Sequence, residues 1–169
     1  NAAGIARLLE SGNMDGTFLP PSNFTGFVSA MARSGNDIIA TGTFTHVVNG
    51  IARKSITRLT NNGNVAPGFN VGTGFGISQP SRVTGLAVQA DGRILVAGVF
   101  NFYNTVNLRN AGVPPIVFRL LSNGLVDNSF PFIFKDTRQY VTDSLPYNLT
   151  LQADGNILFF ICENHPVNT

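Results

Sequence analysis

Three arginines, Arg7, Arg58 and Arg119, hold the same place in three copies of one short pattern. A ring of guanidinium groups of that kind could bind an anion or the carboxylate of a glycan. Four aspartates, Asp15, Asp91, Asp127 and Asp154, fall beside glycines in turn-like stretches, where carboxylates are the usual oxygen ligands of Ca²⁺. His46 and His165 are the side chains able to act as a base near neutral pH. Each of these readings has a structural rival. A residue repeated in every copy usually holds the repeat together, through backbone carbonyls or a nearby carboxylate. The aspartates stand singly, without the alternating Asp and Asn of a dedicated calcium loop. Asp91-Gly92 and Asp154-Gly155 read as turn pairs, and Asp15 and Asp127 suit local backbone hydrogen bonds, so no metal is expected. Neither histidine lies in a nucleophile or metal motif. The run Gly72-Thr73-Gly74-Phe75-Gly76 superficially resembles a phosphate loop but precedes no helix, and no cofactor is expected. Nine acidic residues, at least three of them in turns, are thin material for a two-carboxylate glycosidase.

The elements that would position these groups repeat. Ile5-Ala6-Arg7-Leu8 through Gly12, Met14 and Phe18 aligns without a gap with Ile56-Thr57-Arg58-Leu59 through Gly63, Val65 and Phe69. Both align with Val117-Phe118-Arg119-Leu120 through Gly124, Val126 and Phe130. The closing phenylalanines are 51 and 61 residues apart. Between copies lies a second element, clearest at residues 83–100, where two β-rich runs flank Asp91-Gly92. Such a pair supplies the positive φ angles of a type I′ hairpin turn. Residues 28–44 and 149–160 parallel it. The first of these carries one extra residue around Ser34-Gly35-Asn36-Asp37, which predicts a wider loop, and the last has Phe160 in place of Gly98. Residues 70–80 and 101–115 read as loops by their Gly, Pro and Asn content.

Helical periodicity is absent and the Gly and Asn density would be costly in a helix, so the chain reads as all-β. A repeat of three or four short antiparallel strands must stack on its neighbours to bury both faces. A radial stack of such sheets is a β-propeller, with roughly 40 to 50 residues per blade. One β-propeller segment over residues 1–169 is expected, with about three blades: units at 27–69 and 83–130, and partial units at 5–18 and 146–162. Ile5, Leu8, Leu59, Leu86, Val88, Ile94, Val96, Phe100, Leu120, Leu151, Ile157 and Phe159 are the expected core.

The totals exclude several classes. Charged residues make up 12% and hydrophobic ones 43% of the 169, with a net charge of +2 and no basic run, which gives nucleic-acid binding little support. A neutral surface rich in Asn and Thr is common in secreted and particle-associated β proteins. Cys162 is the single cysteine, so no intrachain disulfide forms. The longest apolar stretches, at 94–99 and 157–162, are far short of a membrane span. The chain begins at Asn1 without Met or a charged-then-apolar leader, which reads as a mature or truncated product. Asn23-Phe24-Thr25 and Asn148-Leu149-Thr150 fit the N-glycosylation pattern.

Leu86-Ala87-Val88-Gln89-Ala90-Asp91-Gly92-Arg93-Ile94-Leu95-Val96-Ala97-Gly98-Val99-Phe100, followed by Phe118-Arg119-Leu120 and by residues 124–130, resembles the delta-60 repeat. That is a β-propeller repeat of bacterial surface, secreted and phage-encoded proteins. The resemblance covers most of residues 5–160, and Ala66-Pro67 departs from it where the other copies carry Asp15 and Asp127. It implies a propeller without a common enzymatic activity. The function expected is a non-enzymatic structural or adhesion scaffold on a cell or virion surface, outside the cell. The rival is a glycan- or receptor-binding module, or less readily a propeller enzyme acting on polysaccharide. Asn101, Phe102, Tyr103 and Asn104 are the expected glycan contacts. Arg7, Arg58, Arg119, Asp91, Gly92, Asp154 and Gly155 are assigned to holding the repeat. Since each end of the chain holds half a repeat, other segments of the polypeptide or neighbouring subunits are the expected partners that complete the blades.

Overall fold

The computed structural model describes residues 5–75, 82–108, 115–131, 133–134 and 146–161; Cys162 and His165 lie outside them. The strands are β1 (Thr25–Ser34), β2 (Asp37–Val48), β3 (Ile51–Leu59), β4 (Arg82–Val88), β5 (Ile94–Val99), β6 (Phe102–Tyr103), β7 (Val106–Asn107), β8 (Pro115–Leu120), β9 (Ile133–Phe134), β10 (Pro146–Leu151) and β11 (Ile157–Ile161). All pairings between them are antiparallel. The second repeat is the sheet β1-β2-β3, and the third is β4-β5-β8-β9. Short bridges Leu8↔Met14, Leu59↔Val65 and Leu120↔Val126 close the same outer turn in all three copies.

The register repeats as well. Ile38 faces Leu59 and Ile39 faces Arg58 in one sheet; Ile94 faces Leu120 and Leu95 faces Arg119 in the next. A bulge falls at one place in each inner hairpin, at Val28/Ala30, Val83/Gly85 and Pro146/Asn148. This register puts Phe160 level with Ala97, and Ile161 with Gly98, which corrects the pairing of Phe160 with Gly98.

The turns correct the sequence reading. In Gln89-Ala90-Asp91-Gly92-Arg93 the Gln89 N–H donates to the Arg93 carbonyl and the Gly92 N–H to the Gln89 carbonyl, and Gly92 alone has positive φ. That is a three-residue loop ending in a left-handed glycine, with no type I′ turn. Asp91 takes its part by accepting the Arg93 N–H at 3.0 Å, a bond that also holds its carboxyl below the usual range. Asp154 and Gly155 build the same loop, and Gly12, Gly63 and Gly124 close three more. The turn at Ser34 is tighter, not wider: Ser34 pairs with Asp37 across Gly35-Asn36, with Gly35 at φ 62°. The true type I′ signature is Asn49-Gly50, where both residues have positive φ.

Packing divides into three clusters. Ile5, Phe18, Phe24, Ala40, Phe44 and Leu59 seal the first half-repeat onto the second sheet. Ile39, Ile56, Phe75, Leu86, Ile94, Val96, Phe100 and Phe118 join the two full sheets. Leu95, Ala97, Val117 and Leu149 hold the last hairpin, with Ile157 and Phe159 packed against them. Leu8 is the exception to the expected core: it is 60% exposed, whereas its counterparts Leu59 and Leu120 are 0% exposed. Those leucines are covered by the strand beside them, and among the described residues no strand lies beside residues 5–9 in that place. Leu120→Ala should therefore destabilise the protein by about 2 to 5 kcal/mol in chemical denaturation, while Leu8→Ala costs under about 1 kcal/mol.

Candidate functional site

The repeated charges converge on the seams between repeats. Arg7 Nε donates to Asp15 Oδ2 at 2.7 Å, while its Nη1 crosses to the Asn61 carbonyl and, at 3.0 Å, to Asn61 Oδ1 in the second repeat. Arg58 Nε donates to Asp37 Oδ2 at 2.7 Å, and its Nη1 crosses to the Ser122 carbonyl of the third repeat at 3.3 Å. Arg119 Nε donates to Asp127 Oδ2 at 2.8 Å, and its Nη1 turns back to Gln89 Oε1 at 3.2 Å. Arg7 and Arg119 also lie over the rings of Phe18 and Phe130.

Each carboxylate is fixed on both sides. Asp15 Oδ1 accepts the Thr17 hydroxyl at 2.6 Å and the Thr17 N–H at 2.8 Å, and Asp127 treats Ser129 the same way. These hydroxyl and amide donors, with the paired arginine, hold both carboxyls below their ordinary range. The second repeat has Ala66 at this position, and Asp37 supplies the missing carboxylate from the neighbouring strand. The third repeat has Arg93 where the second has Asp37, and that arginine pairs with Asp91 and, at 3.3 Å, with Asp127.

Around Asp37 the surface opens into two clefts. One, of about 380 Å³, has Met31, Ala32 and Ile38 as an apolar floor and Arg7, Arg33, Asn36 and Asn61 at its rim. The other, of about 370 Å³, lies on the seam between the second and third repeats, against Arg58, Phe69 and Ser122.

The family model described as "domain of unknown function (DUF5122) beta-propeller" matches residues 36–69 and 89–130, the two spans in which this strand and turn pattern is complete. The chain is a β-propeller repeat protein. No curated protein and no solved structure matches it.

Of the expected glycan contacts, Tyr103 lies in the interior, Asn101 and Phe102 are half-buried and Asn104 is exposed. Tyr103 is 2% exposed and its hydroxyl donates to the Gly124 carbonyl at 2.6 Å; burial pushes its pKa up. It packs with Phe75 and Phe118, and Phe118 in turn meets Phe100. Asn104 is held by residues 72–75: its N–H donates to the Gly74 carbonyl at 2.6 Å, and its Oδ1 accepts the Thr73 N–H at 3.3 Å. Phe102 and Asn101 are half-buried, and the Asn101 carbonyl takes the Leu108 N–H. Residues 101–108 thus contain a β6-β7 ladder bridged to Phe75, where an open loop was expected. A Cβ at Gly74 would lie 1.9 Å from the Lys54 carbonyl oxygen, so this strap demands glycine. Asn23, in one glycosylation sequence, is exposed and donates from its side chain to the Val47 carbonyl.

His46 is 0% exposed and stacked on Phe24. Its Nε2 meets the Thr57 hydroxyl at 3.1 Å, and its Nδ1 has no partner among the described residues. Burial first, then the positive charge of Arg53, lowers its pKa to about 4.

Two measurements check this geometry. Arg58→Ala removes bonds to Asp37 and to the next repeat and should cost about 1 to 3 kcal/mol in denaturant titration. The unfolded chain protonates His46 near pH 6.5 and the folded one near pH 4. The stability from its burial is therefore complete above pH 6.5 and is lost progressively down to pH 4, by about 3 kcal/mol. His46→Gln should flatten that slope.

Proposed function

We infer that this propeller is a non-enzymatic structural scaffold that works through its surfaces and edges, outside the cell or on a particle. The observation that carries this is the use made of its charged residues. The arginines that recur in every copy, and the carboxylates facing them, are spent on hydrogen bonds within and between repeats. A propeller acting on polysaccharide needs a pair of carboxylates free to exchange protons with substrate. Asp15, Asp37 and Asp127 each accept from an arginine, which orients them into the protein, and the carboxyls of Asp15 and Asp127 are held below their ordinary range. The low charge and neutral Asn- and Thr-rich surface fit an extracellular or virion setting.

A glycan- or receptor-binding role is the second reading, and the cleft beside Arg7 favours it. Arg33, Asn36 and Asn61 at its rim offer guanidinium and amide groups above an apolar floor, a surface suited to an acidic sugar. The experiment that separates the readings combines polysaccharide hydrolysis with binding. The scaffold reading expects no release of reducing ends from acidic or neutral polysaccharides. Hydrolysis abolished by Asp37→Asn would overturn it. Saturable binding of an acidic oligosaccharide that weakens at least tenfold in Arg33→Ala would establish the second reading.

A further inference from the structure

We propose that the cleft on the seam between the second and third repeats binds one pyranose ring of a neutral sugar. This goes beyond the scaffold reading and does not depend on the cleft beside Arg7.

The cleft lies between two complete sheets and comes from a change within the repeat. One backbone bond fixes the same position in all three copies: the N–H of Asp15 donates to the Arg7 carbonyl, that of Ala66 to Arg58 and that of Asp127 to Arg119, at 2.8 to 3.0 Å. The first and third copies place a carboxylate on the arginine and, two residues on, a hydroxyl on that carboxylate, as Asp15 with Thr17 and Asp127 with Ser129. The second copy has Ala66 and Gly68 there, with Pro67 between them and Gly68 at φ 80°. Both polar side chains are gone, and an opening of about 370 Å³ lies beside Ala66, Pro67 and Gly68.

The change leaves hydrogen-bonding groups unused. Arg7 Nη2 donates to the Thr17 hydroxyl at 3.3 Å, and Arg7 and Arg119 lie over Phe18 and Phe130. Arg58 has no partner for Nη2 and no ring against it among the described residues, and its Nη1 makes one bond, at 3.3 Å, to the Ser122 carbonyl. Asp15 and Asp127 each take two donors on Oδ1. Asp37 Oδ1 takes none among the described residues, and its Oδ2 accepts from Arg58 Nε at 2.7 Å. The two side chains line the cleft and are 25% and 22% exposed, so a donor edge and an acceptor oxygen stand side by side and open to solvent. From the third repeat Asn123 adds a donor: its Oδ1 accepts the Leu125 N–H at 3.1 Å, which leaves Nδ2 without a partner among the described residues. Pro67, exposed, gives the same cleft an apolar face.

This set selects its ligand by charge. Arg58 and Asp37 neutralise each other, so Asp37 repels a carboxylate or phosphate about as strongly as Arg58 attracts it, and an ammonium group meets the reverse. Adjacent sugar hydroxyls suit both groups at once, donating to Asp37 Oδ1 and accepting from Arg58 Nη2, and bonds to charged groups are the stronger ones. The C–H face of the ring then covers Pro67. A few convergent polar groups beside an apolar wall are the usual make-up of a small-ligand cleft.

Titration of the full chain with the methyl glycosides of glucose, galactose and mannose, followed by heteronuclear NMR, tests the site. At least one should shift the Arg58 Nε–H and Asn123 side-chain amide signals saturably, with a dissociation constant of roughly 1 to 10 mM for a few bonds in an open cleft. Glucuronate, which is charged, and glycerol, which has no ring face, should bind at least tenfold more weakly. Ala66→Asp returns the repeat's carboxylate to the cleft and should end binding without lowering the denaturation midpoint. Asn123→Ala changes an exposed residue and should weaken binding at least threefold with an unchanged circular dichroism spectrum, which decides the matter if Ala66→Asp does not fold. The proposal is overturned if no glycoside shifts these signals at about 100 mM, if binding survives both variants, or if glucuronate binds as tightly as the neutral sugars. Binding lost in Arg33→Ala places the sugar in the other cleft and also overturns it. Hydrolysis of the bound glycoside overturns the non-enzymatic reading and leaves the site.

Discussion

The contact on which the rest depends is the seam where one repeat's closing segment meets the next repeat's glycine turn. Leu19 N–H donates to the Asn62 carbonyl at 2.9 Å and Asn70 N–H to the Asn123 carbonyl at 2.7 Å, the same bond between successive copies. For the backbones to come that close, the turn can carry no side chain. A Cβ on Gly63 would sit 2.8 Å from Leu19 backbone atoms, and one on Gly124 would lie 3.1 Å from Phe69 and Val71 side-chain atoms. Both glycines also have φ near +90°, so packing and backbone conformation select the same residue. At Gly12 a Cβ would meet nothing within 4 Å among the described residues. The glycine of the repeat is thus kept by the fold of the turn everywhere and by the seam where there is one.

The arginine works on both sides of that seam, and its carboxylate is the less fixed member of the pair. In the first and third copies the aspartate comes from the outer turn, as Asp15 and Asp127; in the second it comes from the start of β2, as Asp37. The change is compensated in place. Where Asp37 stands in one sheet, Arg93 stands in the next, and where Ala66 has no charge, Asp127 carries one. A guanidinium in a half-buried site needs one oriented carboxylate, and either neighbouring strand can deliver it. The loss of the aspartate at Ala66, which reads in the sequence as a departure, leaves the ion pair intact.

Much of this was legible because the repeat is local. The spacing of Arg58, Leu59, Gly63 and Phe69 is a spacing within one strand and one turn, and the register of β2 on β3 and of β5 on β8 follows from it. The turn types were not legible from dipeptides alone. Asp91-Gly92 has the composition of a type I′ turn, but the Asp91 side chain accepts the Arg93 N–H and the loop takes a third residue. Asn49-Gly50, which does form that turn, lies outside the repeated pattern although its dipeptide is the strongest hairpin signal. The fate of Tyr103 depended on distance in sequence. Aromatic and amide residues in an apparently open loop suggest a ligand platform, and only the strap at residues 72–75 draws that loop inward. Its signal was the close glycines, Gly72 and Gly74, which admit Asn104 and the Lys54 carbonyl.

The exposures of Leu8, Met14 and Met31 have one cause. In the complete sheets the matching positions are Leu59, Val65 and Leu86, and each is buried or half-buried because an inner hairpin or an adjoining inner strand lies over it. A sequence pattern assigns a side chain to the face of a strand. Whether that face is covered depends on a neighbour, and in a repeat array the neighbour is another copy of the pattern. Leu8 therefore has the identity of a core residue and the environment of an edge. The repeat specifies the face to be buried, and the neighbouring copy supplies its cover.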